Sequence, residues 1–534
     1  MPTLNWAGKD KILNHHHEVP YCVLDKQYEF NKTGTHVSKS EWKQGADVAN
    51  EDNIIIHGDN LYALKALLPK FEGKVDCIYI DPPYNTGNEG WVYNDNVNDP
   101  HIKKWLGEVV GKEGEDLSRH DKWLCMMYPR LNLLWKLLNP VGGTIFISID
   151  ENEFANLKLI CEEIFGKDHH VATIAWQKRY SRENRGAIGD AHEYILIYST
   201  DVETFKLKRN RLPMDETQAK VYKNPNNDPK GRWRAIPMTA QGFRPNQMYP
   251  IEDPKGNIHY PPEGRCWSTV ESEYLKLRDE GRIYFGKNND SQPNVIRYLS
   301  EVEGVVPWTW WPHTEVGHTD EAKKEILQIL GSNQFDTPKP VRLIEQILRI
   351  ATKKDSLILD SFAGSATTAH AVLKMNQSDG GNRRFILIEM MDYASTVTAE
   401  RVKRVINGYG DVSGIPGQFS YYELGPTLFN ENGLLNDSIS FEKIRDYVWF
   451  METRTPFKPT DSDSPYFMGK EFSTSYWFYF ERERKTVLDI PFFESIDDNS
   501  DSFVIYADAC TLPRSYMDEH NINFKKIPRE IPRL

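Results

Sequence analysis

Two stretches of the chain combine short apolar runs with longer amphipathic segments, and the residues between and after them lack this alternation. Short runs rich in β-branched residues predict buried strands, and apolar residues every three or four positions predict helices that pack on a sheet. Strands that alternate with helices are typical of a parallel α/β sheet. The first block predicts strands at 53–57, 75–80, 144–149, 171–176 and 193–198 and helices at 61–71, 121–138 and 153–165. The second block predicts strands at 356–360 and 384–389 and helices at 340–352, 367–375 and 393–406.

The interval between the blocks is rich in Pro, Asn, Gly, Arg and Trp and shows weak periodicity, which is typical of a separate inserted module. Beyond residue 410 the pattern becomes mixed, with an aromatic run at 476–480 and a charged run behind it. A chain of 534 residues is too long for one hydrophobic core, so several domains are expected. The predicted segments are an N-terminal extension at 1–50, half of an α/β domain at 51–204, an insertion at 205–335, the other half at 336–410 and a C-terminal domain at 411–534.

The charge balance is uneven along the chain. The formal net charge is -12, which does not suggest a nucleic-acid-binding protein as a whole. Residues 177–300, however, hold 21 Lys and Arg against 16 Asp and Glu, a net charge of +5. This local excess is either an ordinary surface fluctuation or the basic footprint of a binding module.

Several classes of protein are excluded by composition. No apolar run approaches the roughly 20 residues of a membrane span, and the first thirty residues are polar, so a cytoplasmic protein without membrane contact is expected. The six cysteines include no C-x-x-C pair, which argues against a disulfide framework or a zinc ribbon. The run His15–His17 lacks a cysteine or acid at ligand spacing, so we expect no metal site.

The sharpest local motif is the sequence Asp81-Pro82-Pro83-Tyr84, which follows directly on a predicted buried strand. Proline fixes its own φ and restricts the residue before it, so the two prolines make this loop stiff. Ligands of open α/β sheets bind beyond the carboxyl ends of strands. The motif therefore predicts a functional site, although a rigid turn capped by the aspartate is the structural alternative.

A second motif runs from Asp360 through Phe362, Ala363, Gly364 and Ser365 into a predicted helix. Small residues at such a strand-to-helix turn let the backbone approach a ligand closely, but tight packing needs the same residues. The next strand ends in an acid, Glu389, about where dinucleotide-type folds place a carboxylate on ribose hydroxyls. No G-x-G-x-x-G pattern is present here, so the ligand need not be a dinucleotide.

These two motifs in this order resemble the amino-methylating DNA methyltransferases of the β arrangement, in which D-P-P-Y precedes F-x-G-x-G. The likeness spans about residues 53–410, and the string from 55 to 60 with that from 81 to 87 is similar to modification subunits of type III restriction-modification systems. One departure is Ala366, where the commoner form has glycine. The resemblance implies a Rossmann-like methyltransferase sheet with permuted motif order, an inserted recognition domain and S-adenosylmethionine as cofactor.

The resemblance also implies roles for individual residues. Position by position, the catalytic motif matches Asp81, Pro82, Pro83 and Tyr84. The implied cofactor contacts are Asp59, Asp81, Lys339, Pro340, Asp360, Phe362, Ala363, Gly364, Ser365 and Glu389. The sequence Thr337-Pro338-Lys339-Pro340 looks like the family segment that closes over the methionine end of the cofactor.

The implied reaction is methyl transfer to the exocyclic amine of a flipped adenine in double-stranded DNA. Asp81 and the Pro82 carbonyl would accept the two amine hydrogens and stabilise the positive charge that develops on nitrogen. Tyr84 would stack on the base, so a change to Phe is expected to be tolerated. Methylation of cytosine carbon 5 would need a thiolate, usually in a Pro-Cys pair, and no cysteine here follows a proline.

Other functions stay open at this level. Amino methylation of cytosine shares the same loop logic, although an acid at position 81 favours adenine in this family. A DNA-recognition subunit that serves a restriction nuclease is a second alternative, and a protein-glutamine methyltransferase is a third. Double-stranded DNA, a second copy of the chain in a homodimer and a restriction helicase-nuclease subunit are the expected partners. Phosphate contacts are expected from Lys178, Arg179, Arg182 and Arg185.

Overall fold

The computed structural model describes residues 3–30, 36–38, 53–86, 119–181, 187–214, 216–332, 335–458 and 464–533. The chain divides into two compact units, of which the first comprises residues 1–210 and 308–534 and the second residues 211–307. The predicted insertion at 205–335 extends beyond the second unit at both ends. Residues 308–335 belong to the first unit because Trp310–Trp311 pairs with the strand His170–Gln177, and the helix Thr319–Leu330 packs against the helix Thr398–Asn407.

Both predicted α/β blocks contribute to one sheet in the first unit, which has eleven strands among the described residues. Its apolar strands are fully buried because helices cover them, as in other parallel sheets. The predicted Rossmann-like α/β fold is confirmed. Across the sheet the strands lie in the order Trp310–Trp311, His170–Gln177, His192–Ser199, Thr144–Ile149, Cys77–Ile80, Leu357–Asp360, Arg384–Glu389, Ile54–His57, Phe419–Thr427, Cys22–Phe30 and His36–Ser38.

The helices that pack around this sheet carry apolar stripes, of which the most amphipathic is Val341–Ala351. The principal core joins residues of the strands with those of the helices Asn60–Phe71 and Arg119–Leu137. The helices of the first unit, in chain order, are Lys9–Ile12, His15–Glu18, Asn60–Phe71, Arg119–Leu137, Phe154–Phe165, Val202–Lys208, His313–Val316, Thr319–Leu330, Val341–Ala351, Thr367–Asp379, Thr398–Asn407, Phe441–Thr453, Ile490–Glu494 and Arg514–Glu519. Short 3-10 turns lie at Lys167–His169 and Asp392–Ala394.

The centre of the sheet brings the two sequence blocks together. The strand Leu357–Asp360 of the second block lies between Cys77–Ile80 and Arg384–Glu389, and all of these pairings are parallel. Arg384–Glu389 in turn pairs in parallel with Ile54–His57. Parallel strands end at the same edge, so the residues that follow these four strands converge at one edge of the sheet.

The sheet is extended at both sides by strands that the hydrophobic pattern did not place, which are Trp310–Trp311 on one side and Phe419–Thr427, Cys22–Phe30 and His36–Ser38 on the other. The pattern did predict a strand at 193–198, but not its direction. The strand His192–Ser199 is antiparallel to both of its neighbours. On the other side Cys22–Phe30 runs antiparallel to Phe419–Thr427, so the N-terminal segment and the start of the C-terminal segment share the main sheet. Residues 1–50 and 411–534 therefore do not separate from the first unit as compact bodies.

The C-terminal segment adds a small α/β layer with its own apolar cores. The aromatic run at 476–480 begins on its strand Thr474–Phe478 and continues two residues beyond it, with Trp477 and Phe478 buried and the other three side chains partly buried. Among the described residues, the sheet of this layer has four strands in the order Phe467–Glu471, Thr474–Phe478, Ser502–Ala507 and Ile522–Lys526. Two further short pairs of strands are Gly408–Tyr409 with Val412–Ser413 and Val487–Leu488 with Ala509–Cys510.

The second unit is built from short strands around a small apolar core that includes Trp267, Met238 and Tyr274. Its strands are Trp233–Pro237, Thr239–Gln241, Ile251–Glu252, Ile258–His259, Arg265–Trp267, Ile283–Tyr284 and Asn294–Tyr298, and its helices are Glu216–Ala219 and Glu271–Asp279, with 3-10 turns at Pro245–Gln247 and Leu299–Glu301. In neither unit does a helix of the described residues have the length and apolarity to cross a membrane.

Candidate active site

The loop Asp81–Tyr84 begins at the carboxyl end of the strand Cys77–Ile80, near the middle of the sheet. Pro82 and Pro83 are buried, and the indole Nε1 of Trp123 donates a 2.6 Å hydrogen bond to the Pro83 carbonyl. Proline rigidity and this tertiary anchor together fix the direction in which the Asp81 carboxylate points.

The Asp81 carboxylate is paired with Lys339, a cation that lies 258 residues later in the sequence. Lys339 Nζ lies 2.7 Å from Asp81 Oδ1 and 2.6 Å from Oδ2, and the two side chains are only 9% and 15% exposed. The Tyr84 hydroxyl lies 2.8 Å from Asp81 Oδ1. Burial raises the pKa of Asp81, and the nearby Lys339 offsets part of this rise. The predicted site residues Asp81, Tyr84 and Lys339 therefore meet in one cluster.

A second buried acid, Glu193, completes this cluster. Its Oε1 accepts a 3.2 Å hydrogen bond from Lys178 Nζ, its Oε2 lies 3.0 Å from the Tyr84 hydroxyl, and Lys339 Nζ is 3.8 Å from Oε2. Burial by itself would raise the pKa of Glu193, but the charges of Lys339 and Lys178 outweigh it and the pKa is lowered. Sequence reasoning did not single out Glu193, because as the first polar residue of a strand-like run it carries no local signal.

These groups line a cavity of about 210 Å³ at the carboxyl edge of the sheet. Another acid, Asp150, follows the strand Thr144–Ile149, and burial raises its pKa to about 6. The cavity wall combines charged groups with an aromatic and apolar surface. Its lining residues are Asp81, Pro82, Tyr84, Thr86, Asp150, Trp176, Lys178, Arg179, Glu193, Thr319, Thr337, Pro338 and Lys339.

The second motif forms a tight turn beside the first. Asp360 Oδ1 accepts from the Phe362 amide at 3.1 Å and its Oδ2 from the Thr368 hydroxyl, and burial raises its pKa to about 7. The Gly364 amide donates to Glu389 Oε2 at 2.7 Å. Ala366 has φ 61°, the left-handed conformation that glycine adopts without strain. This conformation gives a physical reason for the glycine that is commoner at this position in the family.

Arg401 holds this turn through hydrogen bonds, and the sequence analysis did not single it out. Its Nη1 lies 3.1 Å from the Ser365 carbonyl, 3.0 Å from the Ser365 hydroxyl and 2.9 Å from the Thr367 hydroxyl. The side chain is 1% exposed, and burial lowers the pKa of Arg401 to about 10. A buried arginine in a helix has no distinctive sequence pattern, so only the contacts reveal it.

The acid Asp59 lies next to this turn, after the strand Ile54–His57. It caps the helix Asn60–Phe71 by accepting from the Leu61 amide at 2.8 Å, and it pairs with the buried Arg130 at 3.1 Å. Asn60 Nδ2 donates to the Ser361 carbonyl at 3.0 Å, which ties the first sequence block to the second. Arg130 is a second buried arginine that sequence reasoning missed.

The residues expected to meet phosphate lie in different places. Lys178 directs its ammonium group into the cavity toward Glu193, and Arg179 lines the same cavity. Arg182 and Arg185 lie outside the described residues. Pro340 precedes the helix Val341–Ala351 as its N-cap, next to Lys339.

Four acids lie at the carboxyl ends of four adjacent strands, where Asp360 and Glu389 are the last strand residues and Asp59 and Asp81 come just after their strands. Asp59, Asp360 and Glu389 accept hydrogen bonds from nearby backbone amides, while Asp81 faces the cavity. Among the described side chains, the Ser361 hydroxyl is a buried group without a hydrogen-bond partner. The carboxylates can accept hydrogen bonds from a ligand and the Ser361 hydroxyl can donate one, which suits a ligand with an amine and hydroxyl groups.

Comparison with known proteins places this geometry in a family. The model of a DNA methylase family matches residues 75–400, which include both motifs. The Mod subunit of the type III restriction-modification enzyme StyLTI of Salmonella typhimurium is 40% identical over 355 residues, which cover 64% of this chain and 53% of that protein. The EcoPI Mod subunit of Escherichia phage P1 is 34% identical over 433 residues, with 72% and 63% covered.

A shorter relative is covered more completely. The type II methyltransferase M.KpnI of Klebsiella pneumoniae is 31% identical over 386 residues, which cover 68% of this chain and 85% of that protein. The chain thus spans between half and two thirds of the two Mod subunits and most of M.KpnI. The resemblance predicted from the D-P-P-Y and F-x-G motifs is confirmed, and the chain belongs to the DNA methylase family.

Proposed function

We propose that this protein transfers a methyl group from S-adenosylmethionine to the exocyclic amine of an adenine in double-stranded DNA. The observation that carries the proposal is the position of Asp81, a largely buried carboxylate at a cavity, beside the turn Asp360–Ala366 that follows the neighbouring strand. A cofactor at that turn and a base in that cavity would meet at Asp81.

The cofactor, when bound, supplies an electrophilic methyl group on a sulfonium. Asp59, Asp360 and Glu389 are the carboxylates that would hold its polar groups, with Phe362, Ala363, Gly364 and Ser365 as the backbone and side chains around it. Lys339 and Pro340 would border it on the side of the cavity. Arg401 and Arg130 keep these residues in place through buried hydrogen bonds.

The chemical task of this chain's own residues is to activate a weak nucleophile. The lone pair of an exocyclic adenine amine is delocalised into the ring, and two hydrogen-bond acceptors on its hydrogens would favour a pyramidal nitrogen. Asp81 and the Pro82 carbonyl would serve as these two acceptors, and a preorganised carboxylate would stabilise the charge that develops on nitrogen. Tyr84 would stack on the extruded base, which contributes about 1 to 3 kcal/mol and offsets the cost of extrusion.

Target recognition is assigned to the second unit, residues 211–307. Its residues 211–300 belong to the basic stretch 177–300, and it exposes aromatic side chains such as Phe243, which is 72% exposed. Arg179, which lines the catalytic cavity, is proposed to contact phosphate, and the same contact is proposed for Arg182 and Arg185 from the sequence. We also propose that the protein acts as the modification subunit of a restriction-modification system, as a homodimer and with a restriction helicase-nuclease subunit as partner.

The test is single-turnover methyl transfer to duplex DNA, followed by nucleoside analysis of the product. Wild type should yield N6-methyladenine, and N4-methylcytosine would instead support cytosine amino methylation. Asp81→Ala should lose roughly 100- to 1000-fold in rate while cofactor affinity is retained. The matched control is Glu151→Ala, an exposed acid just beyond the neighbouring strand, which should keep the wild-type rate. A folded Asp81→Ala protein with the wild-type rate would contradict the assignment of this site.

A further inference from the structure

The two oxygens of Asp81 are already engaged in the structure. Lys339 Nζ is within hydrogen-bond distance of both, at 2.7 and 2.6 Å, and the Tyr84 hydroxyl approaches Oδ1 at 2.8 Å. An amine that is to donate its hydrogens to Asp81 must enter the same space. The ammonium group of Lys339 therefore competes with the amine for the catalytic carboxylate.

A second acceptor for this ammonium group lies within the same cavity. Glu193 Oε2 is 3.8 Å from Lys339 Nζ, so a shift of about 1 Å brings the pair to normal hydrogen-bond distance. The backbone of Lys339 need not move, because its carbonyl accepts a 3.2 Å hydrogen bond from Thr367 and proline residues flank it on both sides. Only the flexible four-carbon side chain has to change its rotamer.

We propose that Lys339 masks Asp81 until a base arrives and then swings to Glu193, which makes Lys339 and Glu193 positioning residues for methyl transfer. This inference rests on the proposed function and adds a role for Lys339 beyond cofactor contact. Glu193 acts as the resting place that keeps the ammonium group away from Asp81. Its other oxygen stays paired with Lys178, and its Oε2 also fixes the Tyr84 hydroxyl.

Electrostatics explains why the lysine must leave. Positive charge develops on the amine nitrogen during transfer, and an ammonium group that remained on Asp81 would repel it and neutralise the stabilising carboxylate. On Glu193 the same ammonium group is itself neutralised. Burial of the cavity makes both effects stronger than they would be in water.

The kinetic test uses Glu193→Gln, which keeps the side-chain shape and removes the charge. The lysine should then remain on Asp81, and the single-turnover rate constant at saturating cofactor should fall roughly 10- to 100-fold. Adding Lys339→Met removes the mask, so the double variant should recover at least about tenfold relative to Glu193→Gln. A double variant that is no faster than Glu193→Gln would overturn the proposal.

A matched control separates masking from general excess of positive charge. Lys178 also pairs with Glu193 but does not reach Asp81 in the structure. The combination of Glu193→Gln with Lys178→Met should therefore stay as slow as Glu193→Gln alone. Equal recovery with Lys178→Met and Lys339→Met would refute a specific mask on Asp81. Thermal unfolding and a cofactor titration of every variant report folding and binding separately.

A structural test needs no methyl transfer. In a crystal structure of Asp81→Asn without ligands, the Lys339 ammonium group should lie within about 3 Å of Glu193 Oε2. An ammonium group that stays at the side chain of position 81, or that points to solvent, would overturn the proposal. A wild-type protein that failed to methylate DNA would contradict the proposed function, and this structure would still decide whether Lys339 has its second position on Glu193.

Discussion

Replacement of Arg401 by Met should destabilise the turn that is proposed to hold the cofactor. The change keeps much of the side-chain volume but leaves three oxygens of Ser365 and Thr367 without their cationic donor. A buried acceptor that loses its partner costs roughly 1 to 3 kcal/mol. Removing a buried cation offsets part of this loss. Burial lowers the pKa of Arg401 to about 10, which corresponds to about 3 kcal/mol against the charged form.

Three such acceptors together cost about 3 to 9 kcal/mol, so after the offset of about 3 kcal/mol the net loss expected for Arg401→Met is about 3 kcal/mol, in the middle of the resulting range. The cofactor dissociation constant should rise roughly tenfold because the turn is no longer fixed. The control is Arg404→Met on the same helix. Arg404 is 41% exposed and pairs with Glu400 near the surface, so its loss should be about 1 kcal/mol or less.

The assay combines urea denaturation with a calorimetric cofactor titration for both variants. If Arg401→Met and Arg404→Met showed the same denaturation midpoint and the same cofactor affinity, the buttressing role of Arg401 would be wrong. A loss of stability without any change in affinity would limit Arg401 to folding and would contradict the link between this helix and the cofactor turn.

Further predictions concern Tyr84, the turn that contains Gly364 and Ala366, and the protonation of Asp360. Tyr84→Phe should lower the single-turnover rate at saturating DNA roughly tenfold, because the Tyr84 hydroxyl is hydrogen-bonded to Asp81 in addition to the stacking role of the ring. An unchanged rate would instead support the expectation from the sequence that Phe is tolerated at this position. Ala366→Gly should change the free energy of unfolding by no more than about 1 kcal/mol, since glycine adopts the left-handed conformation of this position without strain. Gly364→Ala should lower the melting temperature clearly, because Gly364 has φ 50° and an added Cβ would lie 2.8 Å from the ring of Phe335. Burial raises the pKa of Asp360 to about 7, so between about pH 4 and pH 7 the folded protein holds a proton that the unfolded chain has released. The free energy of unfolding should therefore fall by about 4 kcal/mol as the pH rises from about 4 to about 7. Urea denaturation of Asp360→Asn over the same pH range should show a smaller change in the free energy of unfolding.

Local sequence was sufficient for the elements that carry the motifs. The strand Thr144–Ile149 and the strand Arg384–Glu389 have the predicted bounds, and the other predicted strands differ by a few residues at most. Hydrophobic periodicity reports burial one element at a time, which is why it succeeds here. It also placed Asp81 and Asp360 at carboxyl ends of strands, where ligands of such sheets bind.

The sequence did not determine how the strands are ordered or which edges they extend. The strand Leu357–Asp360 enters the sheet beside Cys77–Ile80 although some 280 residues separate them, and Cys22–Phe30 finds Phe419–Thr427 across nearly 400. The antiparallel direction of His192–Ser199 likewise leaves no trace in its apolar pattern. Strand pairing depends on backbone hydrogen bonds between distant segments, and these are the same for every side-chain pattern.

The partners of the buried charged side chains are the second feature that could not be predicted from the sequence. A lysine or glutamate in isolation is most often solvated, so Lys178 was expected on a DNA-facing surface and Glu193 was not expected to matter. In the folded protein both side chains line one cavity with Asp81 and Lys339. There an opposite charge beside each of them offsets the free-energy cost of burying it. The sequence alone therefore determined the strands that carry the motifs, the motifs themselves and the family of this protein. Only the fold decided which charges face each other, because that pairing depends on distances between residues far apart in the chain.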